Sequence, residues 1–436
     1  MNRLAWTTAP RASLAQWDEL VRFADAARRD GLTCTIVCGM GGSSLAPEVL
    51  ASSFANPSLS VLDSTDPGAV LAVARAVEPD RTLFVICSKS GSTVETLAFY
   101  RYLAARADAK RFVAITDPGS PLETLARERG FRAVFAHPPD VGGRYAALTV
   151  VGMLPAALLG VNGRLLLERA LAIDPDAART RGTRLAEAVL AGRDKLVLRP
   201  PSPVARLADW IEQLVAESTG KGGRGVVPVV DDPMTTLRPD SQIVSDFSAD
   251  PLSLGAEFLA WEYTTEALCT RLGVNAFDQP DVEEAKALAR AELARPGKEE
   301  APLATLTPEA LRQSARPGDY LAMLAYLPPA PDIAARLQTV RGAWARELGC
   351  ATTLGFGPRY LHSTGQLHKG GPNTGLFLVV TTDDAEDAEI PEMGTTFGRL
   401  KRAQARGDIR ALLARGRRVA HVHLRRPEDV SGLASL

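Results

Sequence analysis

From residue 33 onward, short apolar runs rich in β-branched residues alternate with longer stretches rich in Ala, Leu and Glu. Each run is followed by Gly, Ser, Pro or Asp. The five runs are TCTIVCGM at 33–40, LSVLDST at 59–65, RTLFVICSK at 81–89, RFVAITDP at 111–118 and FRAVFAH at 131–137. Strands that are apolar on both faces and separated by helices are typical of a parallel sheet built from βαβ units. We therefore expect an α/β fold whose ligands bind in the loops that follow the strands.

A second α/β cycle and a smaller third one follow the first. With 436 residues, the chain is long enough for two or three domains that each bury a core. We predict a first α/β domain over 1–192, a second over 193–294, a polar linker at 295–318 and a C-terminal α/β segment at 319–436.

Charge and composition argue against several classes of protein. Lys plus Arg is 50 and Asp plus Glu is 51, and this balance disfavours nucleic-acid binding by bulk electrostatics. No run approaches the ~18–20 apolar residues of a membrane-spanning helix, and the first twenty residues do not resemble an export signal. Five scattered cysteines, with no C-x-x-C pair, indicate neither a disulfide framework nor a thiolate metal site. We expect a cytoplasmic protein without membrane or nucleic-acid partners.

The first strand is followed by a glycine-rich loop with two serines, Gly39-Met40-Gly41-Gly42-Ser43-Ser44. Glycines let backbone N–H groups approach a bound group, serines add hydroxyl donors, and the next helix offers its positive N-terminal end. This pattern favours phosphate binding. A plain tight turn and a dinucleotide-binding loop remain open, the latter because Asp63 ends the next strand about twenty residues on.

The third strand is followed by the segment SKSGSTVET at 88–96, which carries five hydroxyl side chains and one ammonium. Such a cluster of donors at a strand-to-helix turn matches a phosphate monoester, which has nearly two negative charges and several acceptor oxygens. The alternative is a capped helix in which Ser92 is the N-cap and Glu95 completes a capping box. Two such loops at one sheet edge favour phosphate binding.

The two loops and three further motifs resemble phosphoglucose isomerase, a family with the sugar-isomerase (SIS) fold. The motifs in family order are GMGGSSLAP at 39–47, SKSGSTVET at 88–96, VGGRYAAL at 141–148, EQLVAESTGK at 212–221 and NAFDQPDVEEAK at 275–286. The remainder, with LHSTGQLHKGGPNTGLF at 361–377, resembles the isomerase half of fused transaldolase–phosphoglucose isomerase proteins. The resemblance implies two SIS-type, flavodoxin-like parallel-sheet subdomains and a smaller C-terminal α/β segment.

The resemblance also implies an activity and its partners. It implies interconversion of glucose 6-phosphate and fructose 6-phosphate through a cis-enediol(ate), with no metal and no organic cofactor. The implied partners are a small phosphosugar substrate, a second copy of the chain in a homodimer whose site is built partly across the interface, and a transaldolase.

Each residue that matches a family motif takes an implied role. Moving a proton between carbons 1 and 2 needs a carboxylate near the carbon acid and a cation near the developing oxyanion. The implied catalytic residues are Glu217 as the base, Arg144 facing the enediolate, and His362 and Lys286 as ring-opening groups. The implied phosphate and substrate contacts are Gly42, Ser43, Ser88, Lys89, Ser90, Thr93, Gln213 and Gln279.

Several of these assignments have a purely structural alternative. Glu217 could be a surface residue paired with Lys221 at i+4, and Arg144 could simply satisfy loop carbonyls. Lys286 could pair with a glutamate one turn earlier. His368 is the alternative to His362, and the subunit that supplies the histidine is left open.

Two other functions remain open from the sequence. The loop residues Gly91 and Ser92 stand where bulkier residues are common in the family, so a bifunctional glucose/mannose phosphate isomerase, or an isomerase of another anionic hexose, is an alternative. The other is a non-catalytic SIS module that binds phosphosugars without turnover.

Overall fold

The five apolar runs form a five-stranded parallel sheet. The computed structural model of the protein describes residues 4–234, 238–293 and 302–435. The strands are β1 (Cys34–Gly39), β2 (Leu59–Leu62), β3 (Thr82–Cys87), β4 (Phe112–Thr116) and β5 (Ala133–Ala136). Their order is β2-β1-β3-β4-β5, and every neighbouring pair is parallel. The predicted parallel sheet is confirmed, and β3 is buried along its whole length because helices cover both faces.

Helices connect and cover these strands. They are α1 (Ala9–Arg29), α2 (Leu45–Ser53), α3 (Pro67–Ala76), α4 (Val94–Ala104), α5 (Pro121–Glu128), α6 (Val150–Leu159), α7 (Gly163–Leu171) and α8 (Pro175–Leu190). Their ends follow from local chemistry. The Asp66 side chain accepts a hydrogen bond from the first turn of α3, Ser120 does the same for α5, and Gly160 ends α6 in the left-handed conformation.

The strand order reverses between β1 and β3. The chain leaves β1 through α2 to β2 on one side and then crosses back to β3 on the other side. The loops after β1 and β3 therefore diverge, which opens a crevice at the carboxyl ends of the strands, where α/β proteins bind ligands. Both hydroxyl-rich loops predicted to bind phosphate lie at this crevice.

Two further parallel sheets and one short hairpin complete the strands. They are β6 (Lys195–Leu198), β7 (Val227–Val230), β8 (Ser241–Val244), β9 (Tyr320–Tyr326), β10 (Ala351–Phe356), β11 (Gly375–Thr382), β12 (Glu389–Ile390), β13 (Thr395–Thr396) and β14 (Arg418–Leu424). The second sheet has the order β7-β6-β8 and the third β10-β9-β11-β14, whereas β12 and β13 are antiparallel. Side chains of both sheets, such as Val197, Val229 and Leu324, share one hydrophobic core.

The remaining helices pack between and around these sheets. They are α9 (Leu207–Thr219), α10 (Leu254–Leu272), α11 (Val282–Leu293), α12 (Pro308–Gln313), α13 (Pro331–Leu348), α14 (Gly365–Gly370) and α15 (Phe397–Ala414). Helix α9 is buried on nearly all sides because α2, α10, α14 and β7 surround it. Among the helices in the described ranges, none is both long and apolar enough to cross a bilayer.

The predicted domain limits remain a prediction. Residues 295–301 of the proposed linker lie outside the described residues. The rest of that linker contains α12, whose Leu311 is buried in the core of the third sheet.

The carboxyl group of Glu262 is buried with one unpaired oxygen. Glu262 of α10 is 1% exposed, and its Oε1 atom has no hydrogen-bond partner. Burial raises the pKa of Glu262 well above 4.5, the ordinary value of a glutamate. The folded protein therefore holds Glu262 protonated at a pH where the unfolded chain ionises it. The contribution of Glu262 to the free energy of unfolding is therefore most favourable below pH 4.5, and it is lost as the pH rises toward the folded-state pKa.

We expect Glu262→Gln to stabilise the protein at pH 8 and to have little effect near pH 4.5, because the amide stays neutral at every pH. Between the unfolded-state and folded-state pKa values, the free-energy penalty of the wild type grows by ~1.4 kcal/mol per pH unit. Each kcal/mol lowers the melting temperature by roughly 2–4 °C or less in a chain of this size. Thermal melts at both pH values check this. The control is Glu266→Gln, one turn further along α10 and partly exposed. An equal Glu262→Gln shift at both pH values would contradict the assignment.

Candidate active site

A carboxylate and an arginine face each other beside the crevice. Glu217 lies near the end of α9, and its Oε1 atom is 2.9 Å from Arg144 Nη1. Its Oε2 atom accepts a hydrogen bond of 3.0 Å from Gln213 Nε2, one helical turn earlier. The alternative pair with Lys221 does not form, because Lys221 Nζ lies 2.9 Å from Asp278 Oδ1. Glu217 is therefore part of a buried polar cluster.

The arginine is held rigidly by the loop before α11. Arg144 Nη1 donates to Gln279 Oε1 at 2.9 Å, and Nη2 donates to the carbonyls of Ala276 and Asp278 at 2.7 and 3.0 Å. The structural role offered as an alternative is thus real, but it leaves the Glu217 contact in place. A guanidinium fixed in this way presents permanent positive charge without reorganisation.

Two glycine turns meet where the loop after β1 approaches Arg144. A Cβ atom on Gly42 would lie 2.1 Å from the Gly143 carbonyl oxygen, and Gly41 has a φ of +55°. Residues other than glycine would force these backbones apart. The structure therefore gives Gly42 a packing role that the sequence analysis did not foresee.

The dinucleotide-binding alternative depended on Asp63 as a free acidic residue. Asp63 pairs with Arg359 at 3.3 Å, so this alternative loses that residue.

The loop after β3 presents paired hydroxyl groups. Ser88 Oγ lies 2.9 Å from Thr93 Oγ1, and Ser90 Oγ lies 3.0 Å from Ser92 Oγ. Thr93 is the N-cap residue of α4, yet its side chain makes no capping hydrogen bond. The capping-box alternative is therefore wrong. The uncapped first turn of α4 offers backbone N–H donors, and the paired hydroxyl groups lie beside it, so this arrangement suits an anion.

Lys89 is engaged elsewhere. Its ammonium donates to Asp117 Oδ2 at 2.6 Å and to the Pro139 carbonyl at 2.8 Å. Asp117 also contacts His137 Nδ1 at 3.0 Å. The structure thus pairs Lys89 with a carboxylate instead of joining it to the hydroxyl cluster.

His362 reaches the same cleft from the third sheet. Its Nε2 atom lies 2.9 Å from Glu95 Oε1, and its carbonyl accepts a hydrogen bond of 2.7 Å from Gln213 Nε2. Glu95 also accepts a hydrogen bond from Gln404 Nε2 at 2.7 Å. Burial works to raise the pKa of Glu95, but His362 outweighs it and the pKa lies below its ordinary value. Glu95 therefore stays ionised and orients the imidazole.

Three other histidines lie apart from this cleft. His368 is 2% exposed and packs against the rings of Tyr320, Tyr360 and Phe377. Burial lowers the pKa of His368 well below its usual range, so it remains a neutral core residue. His421 and His423 share the hydroxyl of Thr381 at 2.8 and 2.9 Å. Within the described part of the chain, no three His, Cys, Asp or Glu residues form a group that could hold a metal ion.

The sequence analysis did not identify two residues that take part in the hydrogen bonds around His362. Glu95 carries a helix-capping pattern in the sequence, but its partner is 267 residues away. Gln404 has no signal in the sequence at all. Lys286 lies on α11, and its charge helps to lower the pKa of Glu95.

Hydroxyl loops at the switch point and a carboxylate–arginine pair beside them thus lie together in one α/β protein. Residues 24–224 match the family model for phosphoglucose isomerase. The resemblance inferred from the motifs is thus confirmed over this segment.

Individual relatives agree with this match. Glucose-6-phosphate isomerase of Carboxydothermus hydrogenoformans is 34% identical over 238 residues, which cover 47% of this chain and 51% of the relative. The enzyme of that name from Rubrobacter xylanophilus is 31% identical over 237 residues, 48% of this chain and 55% of the relative. The chain spans about half the length of these relatives.

A solved structure shares the fold. The crystal structure of a glucose-6-phosphate isomerase from Chlamydia trachomatis matches with a TM-score of 0.54 at 19% identity, and covers 64% of this chain and 73% of its own. The SIS-type fold implied by the motifs is confirmed.

We expect the double variant Ser88→Ala/Thr93→Val to bind inorganic phosphate at least tenfold more weakly than the wild type. Each hydrogen bond to a charged group contributes about 1.5–3 kcal/mol. Isothermal titration calorimetry measures the dissociation constants, and Ser60→Ala, which removes an exposed hydroxyl on β2, is the control. Unchanged affinity in the double variant would place the phosphate elsewhere.

Proposed function

We propose that the protein is an aldose–ketose isomerase that interconverts glucose 6-phosphate and fructose 6-phosphate without a metal or organic cofactor. The observation that carries the proposal is the placement of two acid–base groups in one cleft. Gln213 donates to the Glu217 carboxylate and to the backbone carbonyl of His362, so one amide group joins the base to the turn that carries the histidine. The names of the relatives agree with this activity.

Binding begins at the phosphate. Ser43, Ser88, Ser90 and Thr93 donate hydroxyl hydrogen bonds, and the uncapped start of α4 adds backbone donors. Gly42 keeps the loop after β1 close enough to take part. Because the phosphate does not react, these contacts stabilise substrate and transition state about equally.

Ring opening precedes the proton transfer, because the closed pyranose has no acidic proton at carbon 2. His362 moves the proton between the hydroxyl on carbon 1 and the ring oxygen, which gives the open aldehyde. Glu95 holds the imidazole in orientation at 2.9 Å. Lys286 assists from α11, on the Glu95 side of the cleft.

Glu217 then transfers a proton between two carbons. Its carboxylate takes the proton from carbon 2 of the aldehyde, and the electron pair forms the enediolate. The proton on oxygen 2 moves to oxygen 1, and Glu217 returns its proton to carbon 1 to give the ketose. Arg144, fixed by Gln279 and two carbonyls, stabilises the negative charge in between.

The proposal extends to location and assembly. We place the enzyme in the cytoplasm, in line with five cysteines that are all free thiols. A homodimer and association with a transaldolase remain predictions of the family resemblance.

Proton exchange followed by NMR tests the proposed reaction. Fructose 6-phosphate is incubated with the protein in deuterated water without added metal. We expect deuterium at carbon 2 of the glucose 6-phosphate that forms. Additional label in mannose 6-phosphate would make the enzyme bifunctional. No exchange, with phosphosugar binding still detected by thermal shift, would overturn the isomerase and favour a binding module.

We expect Glu217→Gln to lower kcat by at least ~10²-fold, because the amide cannot accept the carbon-bound proton. Phosphosugar binding should change little. Coupled assays of kcat and KM check this, and Glu262→Gln is the control because it alters a buried glutamate outside the cleft. A fully active Glu217→Gln variant would refute the assignment of the base.

A further inference from the structure

The turn that carries His362 is fastened to the first sheet by an arginine. Arg359 lies in the same 3₁₀ turn, Arg359–His362, that directly precedes α14. Its Nη1 atom is 3.3 Å from Asp63 Oδ2, and Nη2 makes a close contact with Glu48 Oε2. Asp63 follows β2, and Glu48 lies in the first turn of α2. Both carboxylates therefore belong to the wall of the crevice formed by the first sheet.

His362 is held from other sides by the same half of the chain. Gln213 binds its carbonyl, and Glu95 binds its imidazole. A Cβ atom on Gly41 would lie 2.5 Å from the His362 carbonyl oxygen, so the loop after β1 touches the turn directly. The attachments come from α2, β2, α4 and α9, which all precede residue 220.

The charge of Arg359 is committed to these ion pairs. The side chains of Arg359, Glu48 and Asp63 are 24%, 25% and 11% exposed. Two carboxylates around one guanidinium neutralise it, which makes it a poor ligand for a phosphate. Removing the guanidinium would leave Glu48 and Asp63 with only Arg206 as a nearby counter-charge, and their repulsion would loosen the turn.

We propose that Arg359 is the positioning residue for the ring-opening group, His362. The ion pairs with Glu48 and Asp63 hold the turn over the crevice, so that His362 faces the substrate anchored in the first domain. The proposal rests on the proposed function.

Ring opening can be measured apart from isomerisation. Exchange between the α and β anomers of glucose 6-phosphate, followed by NMR, reports ring opening alone. Exchange of the proton on carbon 2 with deuterated water reports the step of Glu217. A Glu217→Gln variant should keep catalysed anomer exchange and lose carbon-2 exchange, which separates the two readouts.

We expect Arg359→Met to lower catalysed anomer exchange at least tenfold and to leave KM within about threefold of the wild type, because the phosphate loop is intact. Arg359→Lys should recover most of the loss, since it restores the positive charge. Arg418→Met is the matched control: Arg418 is 17% exposed and forms a 2.7 Å ion pair with Asp319 in the third sheet.

The link between Arg359 and His362 makes a sharper prediction. If the arginine acts through the histidine, the double variant Arg359→Met/His362→Gln should be no slower in anomer exchange than His362→Gln alone. A general loss of structure would instead add to the effect. Should Arg359→Met fail to fold, Glu48→Gln removes one of the two anchoring carboxylates and should lower anomer exchange in the same direction.

The outcomes separate the two proposals. Anomer exchange in Arg359→Met equal to that in Arg418→Met would overturn the positioning role, as would a raised KM with unchanged kcat, which would make Arg359 a phosphate ligand. A wild-type protein with neither exchange would overturn the proposed function, and this inference with it.

Discussion

The amide group of Gln213 is the interaction on which the arrangement of the site depends. It has two N–H donors, and both are used: one on the Glu217 carboxylate at 3.0 Å and one on the His362 carbonyl at 2.7 Å. The reversed amide orientation would turn its oxygen toward two other acceptors, so the hydrogen bonds determine the orientation. Because Gln213 and Glu217 lie on the same helix, this one side chain fixes the distance between α9 and the turn that carries His362.

Around this amide, the ionisable groups form two separate pairs. Glu217 faces Arg144, and Glu95 faces His362. The first pair suits the removal of a proton from carbon and the stabilisation of the resulting oxyanion. The second suits proton movement between oxygens. Because each carboxylate has its own partner, the two tasks can proceed in one cleft without competing for the same group.

The fold was largely predictable from the sequence, and the site only partly. Apolar strands buried on both faces leave a continuous pattern, and the position of hydroxyl loops after the strands follows from sheet geometry. Contacts over long separations leave no such trace. Nothing local shows that Glu95 meets His362, that Asp117 takes Lys89 out of the hydroxyl cluster, or that His368 is enclosed by aromatic rings. The first contact depends on how the third sheet packs on the first, the second on two neighbouring loops of the first sheet, and the last on packing within the third sheet.

The most direct test is a crystal structure with 5-phospho-D-arabinonate, whose carboxylate has the planar shape and charge of the enediolate. The account predicts the phosphate among Ser43, Ser88 and Thr93, and the carboxylate within hydrogen-bond distance of Arg144, at about 3 Å, next to Glu217. A phosphate bound away from the loops after β1 and β3, or a carboxylate directed away from Arg144, would contradict it.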